Sequence, residues 1–188
     1  LQTRILRNMR RRFSGVTRLR SLMLDVYRGI FESVPWDEYN LVGFSIVHGK
    51  MYLSLLMAKW LKELRGNIVH ITVGGSRVIG NPGLTILQKF PQIDSIISGE
   101  GELALVGLLN KLSGHQGVDL STIPGISYRQ GKQLISNPNN QISNLDELPV
   151  PWFEEYETSV RGVILKSELA PSLNIEASRG CYNRCAFC

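Results

Sequence analysis

The chain has 188 residues, 43% of them hydrophobic and 20% charged, with a formal net charge of +5. That balance describes a folded globular protein rather than a disordered one, long enough for one domain, or for one domain and the start of another. No apolar run reaches the roughly 18 to 20 residues that cross a bilayer, so no membrane span is expected.

The basicity is local. Arg4, Arg7, Arg10, Arg11, Arg12, Arg18 and Arg20 fall in the first 20 residues with no acid among them, and the remainder carries 14 basic groups against 16 acidic ones. Such an arm suits RNA, an anionic membrane, a partner or a targeting peptide. No aromatic residues interleave usefully for base stacking, so an exposed helix face is the simpler reading and nucleic acid is not the expected partner.

Leu19, Leu22, Met23, Val26, Ile30 and Phe31 recur at spacings of three and four. They form one stripe of an amphipathic helix over 18–34, ended by Pro35. Residues 41–47, within YNLVGFSIVHG, are apolar and β-branched with glycine beyond, the pattern of a buried strand running into a loop. A second helix is predicted over 50–65. NIVHITVGGSR then repeats the strand-to-loop pattern, with a strand over 68–73 ending at Gly74 and Gly75. A short helix over 83–89 follows Pro82. A third strand over 94–98 leads through a Gly99-Glu100-Gly101 turn into a helix ending near Leu112.

Strands alternating with helices at this spacing predict right-handed βαβ units and a doubly wound, Rossmann-like parallel α/β sheet covered on both faces. Ligands of such sheets bind beyond the carboxyl ends of the strands. Gly49, Gly74 with Gly75, and Gly99 with Gly101 stand at those ends, where glycine admits a bulky ligand but serves equally in a plain turn. After Ser113 the texture changes. PGISYRQGKQLISNP reads as a hairpin over 126–129 and 133–136, followed by a polar, proline-bearing linker. The expected organisation is a basic helical region over 1–39, an α/β domain with its hairpin over 40–147, a linker over 148–171, and the start of a second domain over 172–188. That last stretch opens with a strand over 172–178.

Cys181, Cys185 and Cys188, the chain's three cysteines, form C-x3-C-x2-C. Three close thiols cannot all pair with one another, which argues against a disulfide framework and against a complete four-thiolate zinc or ferredoxin site. His115 is conceivable as a fourth zinc ligand, but nothing in the sequence places it nearby. Three thiolates on a cluster leave one iron open to a non-protein ligand.

With Phe187 just before the last cysteine and a strand before the loop, the trio resembles the signature of the radical S-adenosylmethionine enzymes. The resemblance implies a 4Fe-4S cluster on Cys181, Cys185 and Cys188, with S-adenosylmethionine chelating the open iron and Phe187 packed near its adenine. It also implies cleavage of the sulfonium to a 5′-deoxyadenosyl radical. The upstream order of YNLVGFSIV, ITVGGSRV, IDSIISGEGE, IPGISYRQGK and LDELPVPWFEEYE resembles the cobalamin-binding class of that superfamily from about Asn40 onward. That likeness implies cobalamin at the strand ends, held by Ser45, Val47, Gly74, Gly75, Glu100 and Gly101, and a barrel beginning with the strand at 172–178. The Asp-x-His-x-x-Gly loop that carries an axial histidine in methionine-synthase-like domains is absent. His48, at a strand end, is a ligand candidate and more simply a wall residue. His70 reads as structural, and Glu100 and Glu102 are also explained by the dipole of the helix they precede or open.

The expected activity is methyl transfer to an unactivated carbon, with cyclisation or rearrangement as alternatives on the same cofactors. A cobalamin-free enzyme modifying transfer RNA and a non-catalytic doubly wound binding module are the other readings. The first is disfavoured because its extra cluster needs cysteines before Cys181. The substrate would be a small molecule or a peptide, the reductant a flavodoxin or ferredoxin, and the compartment a reducing cytoplasm. Leu1 in place of methionine and an end at Cys188 suggest a fragment with a truncated barrel. Such a fragment is expected to be inactive alone and unable to hold a stable cluster.

Overall fold

The computed structural model describes residues 2–47, 49–139, 141–156, 158, 179, 180 and 183, the side chains of 2–14 excepted. The chain divides into two compact units, residues 1–142 and 143–188. The first unit contains helices α1 (Gln2–Glu32), α2 (Met51–Arg65), α3 (Asn81–Lys89) and α4 (Glu102–Leu112). Its strands are β1 (Leu41–Ser45), β2 (His70–Gly74), β3 (Ser95–Ile97), β4 (Ile126–Gln130) and β5 (Gln133–Ser136). In the second unit the described elements are a short 3-10 turn at Leu145–Glu147 and a helical stretch at 154–156.

The five strands form one sheet in chain order. β1, β2 and β3 are parallel, with Val42 opposite Ile71 and Val73 opposite Ile96. β4 and β5 are antiparallel additions, Ile97 pairing with Ile126 and Tyr128 with Ile135. The sheet is therefore mixed where a wholly parallel one was expected, because the predicted hairpin joins it rather than standing outside. The cause lies in the return path. α4 carries the chain from the carboxyl end of β3 toward the amino end, and residues 113–125 bring it back, so β4 must run in the opposite direction. A bond from the Ser98 N–H to the Gly125 carbonyl, 2.9 Å, closes that corner.

Alternation along the strands sends successive side chains to opposite faces. Ile71, Val73 and Ile96 face Leu55, Ala58 and Leu61 of α2 and Ile86 and Leu87 of α3. Ile97, Ile126 and Tyr128 face Ala104 and Leu108 of α4. The amino ends of the strands are pinned by polar contacts. Lys62 Nζ lies 2.8 Å from Asp94 Oδ2 and donates to the Val69 carbonyl, while Asp94 accepts the Ile71 N–H at 2.6 Å.

The first helix departs from expectation. It runs from Gln2 rather than from Arg18, and its stripe is not buried: Leu19, Leu22, Met23, Val26 and Ile30 are exposed, and only Phe31 of the six enters the core. Docking is confined to the last turns. There Phe31 sits 5.1 Å from Trp36 and 5.6 Å from Trp60 between ring centroids, and Trp36 Nε1 donates to the Phe31 carbonyl at 2.7 Å. Periodicity reports an apolar face, not whether something within reach covers it.

Candidate cofactor-binding site

The carboxyl ends of β1, β2 and β3 meet at a cavity of about 430 Å³, within the range of small-molecule sites. β1 contributes Gly43 and Ser45, β2 contributes Thr72 and Gly74, and the start of α4 contributes Glu102 and Leu105. Gly75, Gly99 and Gly101 line it from the loops. The walls are poor in side chains, and the glycines fall into two kinds.

Gly75 is required by the backbone. Its φ of 102° and ψ of 170° lie in a region open essentially to glycine alone, and a Cβ there would stand 2.6 Å from the Ile46 carbonyl oxygen. That contact holds the loop after β1 against the loop after β2, supported by the Ile46 N–H donating to the Gly74 carbonyl at 2.7 Å. Gly43, Gly74 and Gly101 are not required in this way. None has a positive φ, and an added Cβ would find its nearest neighbours at 3.6, 3.5 and 3.8 Å, ordinary van der Waals distances. What a side chain at these three positions would consume is the cavity itself.

Ser45, Gly74, Gly75 and Gly101, expected as cobalamin contacts, line the cavity. Val47 and Glu100 are not among its lining residues. Val47 is exposed beyond β1, and the Glu100 carboxylate accepts the Ile142 N–H at 2.6 Å, tying down the segment that leaves the sheet. Gly43, Thr72 and Leu105 were not anticipated. For Gly43 a signal existed, since a glycine inside a strand pattern marks a close approach. Thr72 and Leu105 carry no such mark. His48, Cys181, Cys185, Phe187 and Cys188 lie outside the described residues, as does the strand predicted over 172–178. Among the described residues no three His, Cys, Asp or Glu side chains gather as metal ligands.

Below the cavity, on the same sheet face, runs a row of hydrogen bonds. His70 Nε2 lies 2.8 Å from Ser95 Oγ, which donates to Thr72 Oγ1 at 2.9 Å. Burial lowers the His70 pKa from its ordinary 6.5; Asp94 nearby opposes this and Lys62 adds to it. A histidine with a folded pKa below its unfolded value binds fewer protons when folded. Its stabilising contribution is therefore full above 6.5 and is lost as pH falls through 6.5 toward the lowered folded value. Urea unfolding midpoints are expected to drop between about pH 8 and pH 5, and to drop less in His70→Gln. Equal pH slopes in the two proteins would remove His70 as the cause.

No protein-family model matches the chain. Over 150 residues, 79% of its length, the chain is 33% identical to an uncharacterized methyltransferase of Pyrococcus horikoshii. Over 137 residues, 72% of its length, it is 31% identical to the cobalamin-dependent radical SAM methyltransferase TokK of Streptomyces tokunonensis. The fold matches the cobalamin-dependent S-adenosylmethionine radical enzyme OxsB, solved with aqua-cobalamin and S-adenosylmethionine bound. The TM-score is 0.63 and the identity 25%, over 87% of this chain and 21% of that one. The chain is a relative of the cobalamin-dependent radical S-adenosylmethionine proteins. It spans 31% of the Pyrococcus protein and 20% of TokK. No helix among the described residues is long and apolar enough to cross a membrane.

Proposed function

We propose that the first unit is the cobalamin-holding part of a radical S-adenosylmethionine enzyme that transfers a methyl group to an unactivated carbon. The observation that carries this reading is the set of three glycines, Gly43, Gly74 and Gly101, that neither backbone conformation nor crowding demands and that together keep the strand-end cavity open. The backbone of Gly74, Gly75 and Gly101 would lie against the corrinoid and the Ser45 hydroxyl would bond to it, with Val47 and Glu100 as outer contacts. Cys181, Cys185 and Cys188 would hold the 4Fe-4S cluster through thiolates, with Phe187 beside S-adenosylmethionine. When bound, the corrinoid supplies a transferable methyl group and the cluster supplies an electron. The chain's own part is to orient the two cofactors and keep water from them. The electron would come from a flavodoxin or ferredoxin, and a thiolate-held cluster of this kind suits a reducing cytoplasm.

The test is an anaerobic titration of the full chain with hydroxocobalamin. Co-elution of cobalt with the folded protein and a shifted corrinoid absorbance are expected. A folded sample that releases all cobalamin on gel filtration and leaves its spectrum unchanged would overturn the reading in favour of a binding module for another ligand.

A further inference from the structure

α1 gives one of its sides to the fold and leaves another uncovered. Tyr27 and Phe31 pack against the core, and the Arg28 guanidinium lies 4.0 Å from the Trp60 ring centroid. At about 3.6 residues per turn these three share one side of the helix, and the stripe stands roughly a third of the circumference away. Val16, Leu19, Leu22, Met23, Val26 and Ile30 each keep between 44 and 64% of their surface exposed. From Val16 to Ile30 they follow about 21 Å of helix. Single exposed leucines are ordinary on a protein surface, but a continuous row of six bulky apolar side chains is a binding face.

Charge decides what the face binds. α1 carries eight arginines, no lysine and two acids, and residues 2–24 hold no acid at all. The two acids, Asp25 and Glu32, stand on the side away from the stripe, whereas Arg18 and Arg20 flank it on either edge. A second copy of the chain would bring together two helices of the same positive sign, with no carboxylate beside the stripe to pair with Arg18 or Arg20. A nucleic acid would engage the positive charge and leave the six apolar side chains in water, since none of them is an aromatic on which a base stacks. An anionic lipid surface satisfies both properties at once. Headgroup charge meets the arginine-rich helix, and the stripe enters the boundary with the acyl chains. α1 is not apolar enough to cross a bilayer, so the contact runs along the plane.

We propose that α1 lies in the surface of an anionic lipid bilayer, its stripe inward and Arg18 and Arg20 at the headgroups, and holds the protein at a membrane. The inference is independent of the cobalamin reading. The experiment is flotation of the full chain with vesicles of phosphatidylcholine alone and of phosphatidylcholine with roughly a third phosphatidylglycerol. Binding to the anionic vesicles is expected to be tighter by about tenfold or more, and to be lost at about 0.5 M salt. Leu22→Ser with Val26→Ser, both at exposed positions, should weaken it by about tenfold or more while the urea midpoint stays unchanged. Arg18→Gln with Arg20→Gln should lower both the affinity and its salt dependence. A parent chain that does not float with the anionic vesicles, or a serine variant that floats as the parent does, would overturn the inference. If instead the parent sediments as a dimer, the serine variant as a monomer, and neither floats, the stripe is an interface between copies. Salt-sensitive binding of single-stranded RNA by parent and serine variant alike, without flotation, would make α1 a nucleic-acid arm.

Discussion

Gly74→Val is expected to weaken cobalamin binding by at least about 100-fold, or 2.7 kcal/mol, while the unfolding midpoint stays within about 0.5 kcal/mol of the parent or rises. The two halves of this expectation have separate causes. Gly74 sits in β2 on the face that carries Thr72, and an ideal Cβ there meets the Ile97 carbonyl oxygen at 3.5 Å and the Ile97 Cβ at 3.9 Å, so the first added carbon is accommodated. Its φ is not positive, and a β-branched residue suits a strand better than glycine does. The two further methyls have nowhere to go but the 430 Å³ cavity. Gly43→Val, one strand away with its Cβ 3.6 Å from the Thr72 methyl, should behave in the same way. Isothermal titration with hydroxocobalamin and urea unfolding on the same samples measure both halves. Unimpaired binding in both variants would mean that the ligand does not use the strand-end cavity.

These glycines show how far the sequence could be read. The alternation of strands and helices, the glycine-bearing strand ends and the hairpin were all legible, because each follows from local periodicity and turn chemistry. The joining of the hairpin to the sheet was not, since it depends on where residues 113–125 return the chain. The exposure of Leu19, Leu22, Met23, Val26 and Ile30 was equally hidden, because a stripe announces an apolar face and says nothing of its partner. Within the site, Gly74, Gly75 and Gly101 could be anticipated from their place at strand ends, and Ser45 only through the family resemblance. The cavity itself could not, because it depends on the pairing of two strands, Gly43 opposite Thr72 and Ser45 opposite Gly74, with the start of α4 standing to one side. His70 is the sharpest case. Its alternation within a strand gave a structural reading, and only the pairing of β2 with β3 places it beside Ser95 and at the foot of a cavity.

The neighbouring glycine tests the opposite cause. Gly75→Ala is expected to destabilise the chain by about 3 kcal/mol or more, from about 1–3 kcal/mol of backbone strain and a comparable overlap cost. Its φ of 102° with ψ of 170° excludes L side chains, and the Cβ would lie 2.6 Å from the Ile46 oxygen and 3.0 Å from both the Ile46 nitrogen and carbonyl carbon. All three are backbone atoms, so no rotamer change relieves the overlap. The loop after β1 must then move away from the loop after β2, breaking the Ile46 N–H to Gly74 carbonyl bond and the 3.3 Å bond from the Arg77 N–H to the Ile46 carbonyl. Since Ser45, at the end of β1, and Gly75, in the loop after β2, both line the cavity, cobalamin affinity should fall together with stability in Gly75→Ala. In Gly74→Val affinity should fall alone. A Gly75→Ala protein with an unchanged urea midpoint would show that the two loops are not held by this contact, and that the strand-end site is assembled in some other way.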